Sequence, residues 1–360
     1  MISYSVGITG LNAMDDPVAG IPVTRSIRSA KEWGGRIIAL AYDALDTGIY
    51  DSGLLDEVYL LPYPSEGENA LLQRLKQILE KTSIDVIIPT VDSELVNFCR
   101  LEPELKELGI NLLLPPEDKI RLHRKERLRE FCQANGICAP KTITITEPAE
   151  LKKAGKELGF PLVVKGAVHE AALAYSEDEA LVHYQRIKAA WGLPLVAQEY
   201  IPGEEYTVIA LGDRDGNLVG MVETKKLRVT EKGKSWAGVT VWDEELMAVA
   251  RGILEKLRWV GPLELEFRKR SSSKEYYLFE LNPRFPVGCY LAARAGQNLP
   301  LATVQLAMGE KVEPFTSYRA GVMYTRHAVD VISPLEYMED LVTRGELIFD
   351  RKRKKNLERS

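Results

Sequence analysis

The chain has 360 residues, 45% of them hydrophobic and 28% charged, with a formal net charge of -5. That length suits two or three domains, and the acidic balance argues against a nucleic-acid binder. No apolar run approaches the roughly 18–20 residues of a membrane span. Met1-Ile2-Ser3-Tyr4 leads into a strand rather than a leader, and the four cysteines have neither metal-ligand nor disulfide-framework spacing. A protein of the reducing cytoplasm, with no membrane or nucleic-acid partner, is therefore expected.

Strand and helix patterns alternate through the first third. A strand is expected over 4–8, a turn over 9–12 and a helix over 18–33 that stops at Gly34-Gly35. Strands follow over 36–41, 55–61 and 84–89, with an amphipathic helix over 68–81, a helix over 93–108 and a short strand over 111–114. The run Ile84-Asp85-Val86-Ile87-Ile88-Pro89 is apolar apart from one acid, as a parallel strand covered on both faces should be. Residues 1–115 thus read as a doubly wound parallel α/β domain. Its ligand-facing ends would be the segments at 9–12, Asp43 and 90–94. Gly7-Ile8-Thr9-Gly10 is not G-x-G-x-x-G, which sets a dinucleotide domain aside.

Pro115-Pro116 opens a linker over 116–140 that contains a helix at 119–135 closed by Gly136. The strand Phe160-Pro161-Leu162-Val163-Val164-Lys165 ends in a lysine, which is costly to bury among apolar residues without an anionic partner. A helix is expected over 176–191. Two strands joined across Pro202-Gly203 would make a hinge. The residues at 224–239 read as a basic, mobile loop in which Lys226 and Arg228 share one face and could grip an anion.

The most informative stretch is a hairpin. Leu263-Glu264-Leu265-Glu266-Phe267 alternates, a polar turn follows, and a second strand runs through Glu280, Asn282 and Arg284. Centred on Ser273, the hairpin opposes Glu266 to Glu280 and Glu264 to Asn282. Like charges directly opposed destabilise a ladder by up to roughly 1 kcal/mol. A divalent cation between them would reverse the sign, and magnesium favours one or two carboxylates plus substrate phosphates.

Glu280-Leu281-Asn282-Pro283-Arg284 resembles the E-x-N-P-R signature of the ATP-grasp enzymes, in the branch shared by carbamoyl-phosphate synthetase and biotin carboxylase. The resemblance covers about 119–326. It implies a lid over 141–205, a base over 206–330 and a C-terminal helix with a basic tail over 331–360. It implies ATP with magnesium or manganese, the metal held by Glu266, Glu280 and Asn282. Lys125, eleven residues before Gly136-Ile137-Cys138-Ala139-Pro140, and Lys165 would hold phosphates. The segment Gln198-Glu199-Tyr200-Ile201 would meet the adenine edge and Glu205 the ribose, a reading that Lys165 favours over a merely solvated turn at Glu204-Glu205. Arg284 would steady the transferring phosphoryl group or the substrate carboxylate, and Lys226 and Arg228 could grip the γ-phosphate or an acyl-phosphate.

By the same resemblance Asn12, Asp92 and Glu94 are candidate contacts to the second substrate, although helix capping or a solvated loop explains each of them equally well. The implied reaction joins a small carboxylate to an amine, amino acids or a peptide among them, in what is commonly a homodimer. Two alternatives stand beside it: a carboxylase using bicarbonate, and an ATP-binding sensor or scaffold without turnover. One departure is visible. The lysine strand is followed by Gly166-Ala167-Val168-His169-Glu170 rather than a glycine-rich phosphate loop, and His169 could supply a phosphate contact or be a plain exposed histidine.

Overall fold

The computed structural model describes residues 1–14, 17–166, 170–230 and 233–349. The first sheet is built from β1 (Ser5–Thr9), β2 (Arg36–Ala41), β3 (Glu57–Leu60) and β4 (Val86–Ile88). These strands are parallel, in the order β3-β2-β1-β4. Their near-continuous burial follows from helices covering both faces. The chain reverses its winding at β1, so the crevice between the ends of β1 and β4 lies at a topological switch point. The Thr90 hydroxyl donates to the Thr9 carbonyl there at 2.9 Å.

Several expected elements are shorter than the pattern predicts. The helix over 18–33 forms only as Gly20–Arg28. The one over 93–108 divides into Leu95–Arg100 and Glu102–Glu107, because Pro103 lacks the N–H that would continue the first helix. The strand over 111–114 reduces to a single bridge between Val86 and Asn111, just before Pro115-Pro116.

The second sheet comprises β5 (Thr142–Ile145), β6 (Leu162–Gly166), β7 (Ala171–Ala174) and β8 (Leu195–Glu199), in the order β5-β8-β6-β7. Helices Pro148–Leu158 and Glu177–Trp191 cover one face around Leu151, Tyr184 and Ile187. Pairing of β6 with β7 begins at Lys165 opposite Ala171, so the connection between them is short. His169 lies outside the described residues.

The third sheet is antiparallel. It contains β9 (Gly203–Gly212), β10 (Leu218–Val229), β11 (Ser235–Thr240), β12 (Gly261–Arg270), β13 (Tyr276–Asn282) and β14 (Met323–Thr325), in the order β13-β12-β9-β10-β11-β14. The basic stretch at 224–239 is therefore mostly strand, not a mobile loop. The chain passes from β8 to β9 across Pro202-Gly203. Gly203 is required there because a side-chain carbon would sit 1.8 Å from the Lys269 carbonyl oxygen.

The described part of the C-terminal segment packs back onto the first sheet. Helix Leu335–Arg344 buries Tyr337 and Leu341, and β15 (Glu346–Ile348) pairs antiparallel with β3 at the edge of the first sheet. This covers an edge that would otherwise expose unpaired backbone groups. The basic tail at 351–355 lies outside the described residues. One apolar core joins the first sheet to the third: Val23 and Ile27 share it with Ile209, Leu211, Phe285 and Leu299. That core fixes the loop after β4 over the end of β13. Among the described residues no helix is long and apolar enough to cross a membrane.

Candidate functional site

A cleft of about 530 Å³ separates the second sheet from the third and is closed at one end by the loop after β4. Alternation along β12 points Glu264, Glu266 and Arg268 into it, and β13 contributes Glu280 and Asn282. The register is the expected one here: Glu266 opposes Glu280 and Glu264 opposes Asn282. A bulge then intervenes, because Phe267 pairs with Leu278. Leu278 and Leu281 consequently both face the core, while Phe279 and Glu280 both line the cleft. The sequence carries the sign of this, since the apolar spacing Tyr276, Leu278, Leu281 breaks a period of two.

Asp92, Glu205, Glu264 and Glu266 are each paired with a cation. The Lys226 ammonium lies 2.6 Å from Glu266 Oε2 and 3.5 Å from Glu205 Oε2, with its side chain only 5% exposed. Arg284 donates to Glu264 at 2.8 Å and to Asp92 at 3.2 Å, so it links the first sheet to the third. The Asn282 amide nitrogen donates to Glu264 at 2.9 Å, which leaves its oxygen for another partner. Arg268 bonds Glu205 and donates to the Ile201 carbonyl at 3.2 Å. Asp92 Oδ1 is buried with no hydrogen-bond partner, which costs about 1–3 kcal/mol.

Lys125, at the start of helix Lys125–Asn135, and Lys165, on β6, face Glu280 across the cleft. Burial depresses the pKa of Lys125. Burial also pulls Lys165 down to about 8, and the charge on Lys125 adds to the shift. Burial would raise Glu280, but Lys125, Lys165 and Lys226 outweigh it and hold the carboxyl low. Glu266 is pushed up by burial and by Glu264 and Glu280, against the pull of Lys226. The centre therefore holds clustered carboxylates whose charge is opposed by lysines on the facing elements.

Glu266, Glu280 and the Asn282 oxygen form an oxygen-only donor set of the kind a hard divalent cation takes when water and phosphate complete its shell. The Lys226 ammonium against Glu266 already stands where positive charge is wanted. No group of three His, Cys, Asp or Glu side chains that could ligate a metal is found among the described residues.

The hinge segment Gln198, Glu199, Tyr200 and Ile201 lines the opposite end of the cleft. Gln198 donates to Thr142 Oγ1 at 3.1 Å, and Glu199 is paired with Arg270 at 2.6 Å. Three expected residues lie elsewhere. Arg228 is exposed and outside the cleft, because bulges on either side of it in the β10–β11 ladder break the face it was to share with Lys226. The Asn12 side chain accepts from the Met14 amide at 3.0 Å in a local turn and does not line the cleft.

Glu94 is a core residue rather than a substrate contact. Its Oε1 accepts from the Thr9 hydroxyl at 2.5 Å and from the Thr90 and Val91 amides at 2.8 Å, and its Oε2 accepts from the Tyr42 hydroxyl. Burial pushes its pKa up to about 7. Glu94→Ala should cost about 3 kcal/mol in urea unfolding by orphaning those donors. Glu94→Gln keeps the Oε1 acceptor and should cost far less; equal losses would give the charge, not the acceptor, the structural role.

Glu264, Arg268 and Phe279 are cleft residues that the sequence reading did not assign. The first two were accessible to it, because the alternation that exposes Glu266 also exposes its neighbours two positions away. Phe279 needed the bulge.

Residues 193–328 match a family model described as ATP-grasp in the biosynthetic pathway with Ter operon. The chain is 24% identical over 307 residues to the carbamoyl phosphate synthase large chain of Haemophilus ducreyi, covering 79% of this chain and 28% of that protein. It thus spans little more than a quarter of that relative. In three dimensions it is similar to the biotin carboxylase domain of Hydrogenobacter thermophilus 2-oxoglutarate carboxylase, crystallised with MgADP, ADP and bicarbonate. The TM-score is 0.67 at 17% identity, covering 86% of this chain and 71% of that one. The L-amino acid ligase of Bacillus licheniformis has a TM-score of 0.64 at 17% identity, covering 87% and 78%.

Proposed function

We propose that this chain, a member of the ATP-grasp superfamily, is an ATP-dependent ligase that joins a carboxylate to an amine and releases ADP and phosphate. One observation carries the reading: Lys125, Lys165 and Lys226, from three separate elements, converge on the facing carboxylates of one hairpin. Anion-binding cations and cation-binding anions are gathered in one partly closed cleft, as a magnesium–nucleotide requires. In this reading the second sheet is the lid, the third is the base, and the first presents the second substrate.

Glu266, Glu280 and Asn282 would hold magnesium, which when bound supplies neutralisation of phosphate charge. Lys125 and Lys165 clamp phosphates. Gln198 to Ile201 and Glu205 take the base and the ribose. Lys226 and Arg284 face the end of the cleft where the transferring phosphoryl group would lie. There a substrate carboxylate oxygen attacks the γ-phosphorus, and the bond to the ADP oxygen breaks. The amine nitrogen then attacks the carbonyl carbon of the acyl-phosphate, phosphate leaves, and the nitrogen gives up its proton. The protein's contribution is to position the groups and oppose their charge.

The Asp92–Arg284 pair favours an amino acid over a bare anion. Bicarbonate facing Arg284 would have to displace Asp92 or lie against its like charge. A zwitterion satisfies both, its carboxylate on Arg284 and its ammonium on Asp92. The test is release of ADP and phosphate with magnesium and ATP, screened over paired pools of amino acids and carboxylic acids, with product masses recorded. Release that needs both partners and yields an amide mass is expected. Release with bicarbonate alone would replace this reading by the carboxylase one, and tight nucleotide binding without turnover across the pools would favour a sensor.

A further inference from the structure

Arg268 is unexplained by the phosphate and metal chemistry, yet it lies inside the cleft. It follows Glu266 by two positions on β12, about 7 Å further along the strand toward the hinge. Its ladder partner on β9 is Glu205, and its side chain is 24% exposed. One guanidinium nitrogen donates to the Ile201 carbonyl at 3.2 Å and another bonds Glu205. The guanidinium carbon is 5.1 Å from the centre of the Tyr200 ring and 5.9 Å from that of Phe279. Arg268 is thus tied at once to the hinge segment and to the acid that would take the ribose, with two aromatic rings nearby.

We propose that Arg268 is a base-positioning residue, its guanidinium plane forming a platform for the nucleotide base and joining the base end of the cleft to Glu205. The inference rests on the nucleotide reading given above. A guanidinium suits the task because it is planar, weakly hydrated and stacks on aromatic faces. Its two hydrogen bonds fix the plane before any ligand arrives, which lowers the ordering cost of binding. The bland alternative is a cross-strand ion pair that merely steadies β9 against β12, and such pairs contribute little.

The experiment compares two ligands by titration calorimetry in the presence of magnesium: ADP, which carries a base and a ribose, and inorganic tripolyphosphate, which carries neither. R268L should weaken ADP binding about tenfold and leave tripolyphosphate within about twofold. R268K keeps the charge without the plane and should recover only part of the loss. Equal weakening of both ligands, unchanged ADP binding, or full recovery in R268K would each overturn the proposal. Tripolyphosphate affinity also reports whether R268L retains a folded site, and if it does not, R268K carries the same comparison. Wild-type protein that fails to bind ADP would sink the nucleotide reading itself, and this inference with it. Wild-type binding with R268L unaffected would sink this inference alone.

Discussion

Glu280→Gln lowers ATP turnover by about two to three orders of magnitude, the range seen when one charge-stabilising group is removed from an active site. The carboxyl is held ionised because Lys125, Lys165 and Lys226 outweigh its burial. It is therefore available to a cation across the neutral range, whereas Glu266, pushed the other way, depends on Lys226. Glutamine keeps the shape and removes the charge. Two consequences of opposite sign follow. Magnesium should be held more weakly, so turnover should require more of it. ADP without magnesium should bind at least as tightly as to the wild type, because three lysines have lost an anionic partner. Measuring ADP affinity with and without magnesium, beside turnover, separates this from general damage to the site. A parallel loss of both affinities, or an unchanged magnesium requirement, would remove Glu280 from the metal set.

The parts of this site that were legible in the sequence are those set by local periodicity. Leu263-Glu264-Leu265-Glu266-Phe267 fixes which side of β12 faces the core, so Glu266 and its opposition to Glu280 could be read directly. Lys165 stood out because a charge in so apolar a strand demands a reason. Features set by non-local contacts were not legible. Asp92 and Glu94 look alike in the chain, two residues apart, yet one reaches Arg284 across the interface and the other turns to Thr9 and Tyr42. Lys226 and Arg228 look alike too, and bulges separate them. The strand Glu346–Ile348 has three residues and a partner far away in sequence, so its own pattern carries almost no signal. The shared core that seats the first sheet on the third was equally invisible, although it helps bring Asp92 to the cleft.

Lys165→Met should stabilise the unliganded protein while abolishing tight nucleotide binding. Burial and the neighbouring Lys125 lower the Lys165 pKa from 10.5 to about 8. The charged form is thus carried at a cost in the folded state, about 3 kcal/mol at most near neutral pH. The sign is checked by proton counting. Between pH 8 and 10.5 the unfolded chain binds more protons at this site than the folded one, so wild-type stability from this group rises with pH in that window. The advantage of K165M should be largest below pH 8 and shrink as pH approaches 10.5. Thermal melts at pH 7 should show the variant higher by a few degrees. Saturating ADP should reverse the order, because a ligand that binds only the native state raises the wild-type midpoint and finds no second phosphate clamp in K165M. A variant that melts lower than wild type at pH 7, or one that gains as much from ADP, would show that the buried lysine is supported by its surroundings rather than held in wait for a phosphate. The expected pattern is that of a site where stability is given up for function.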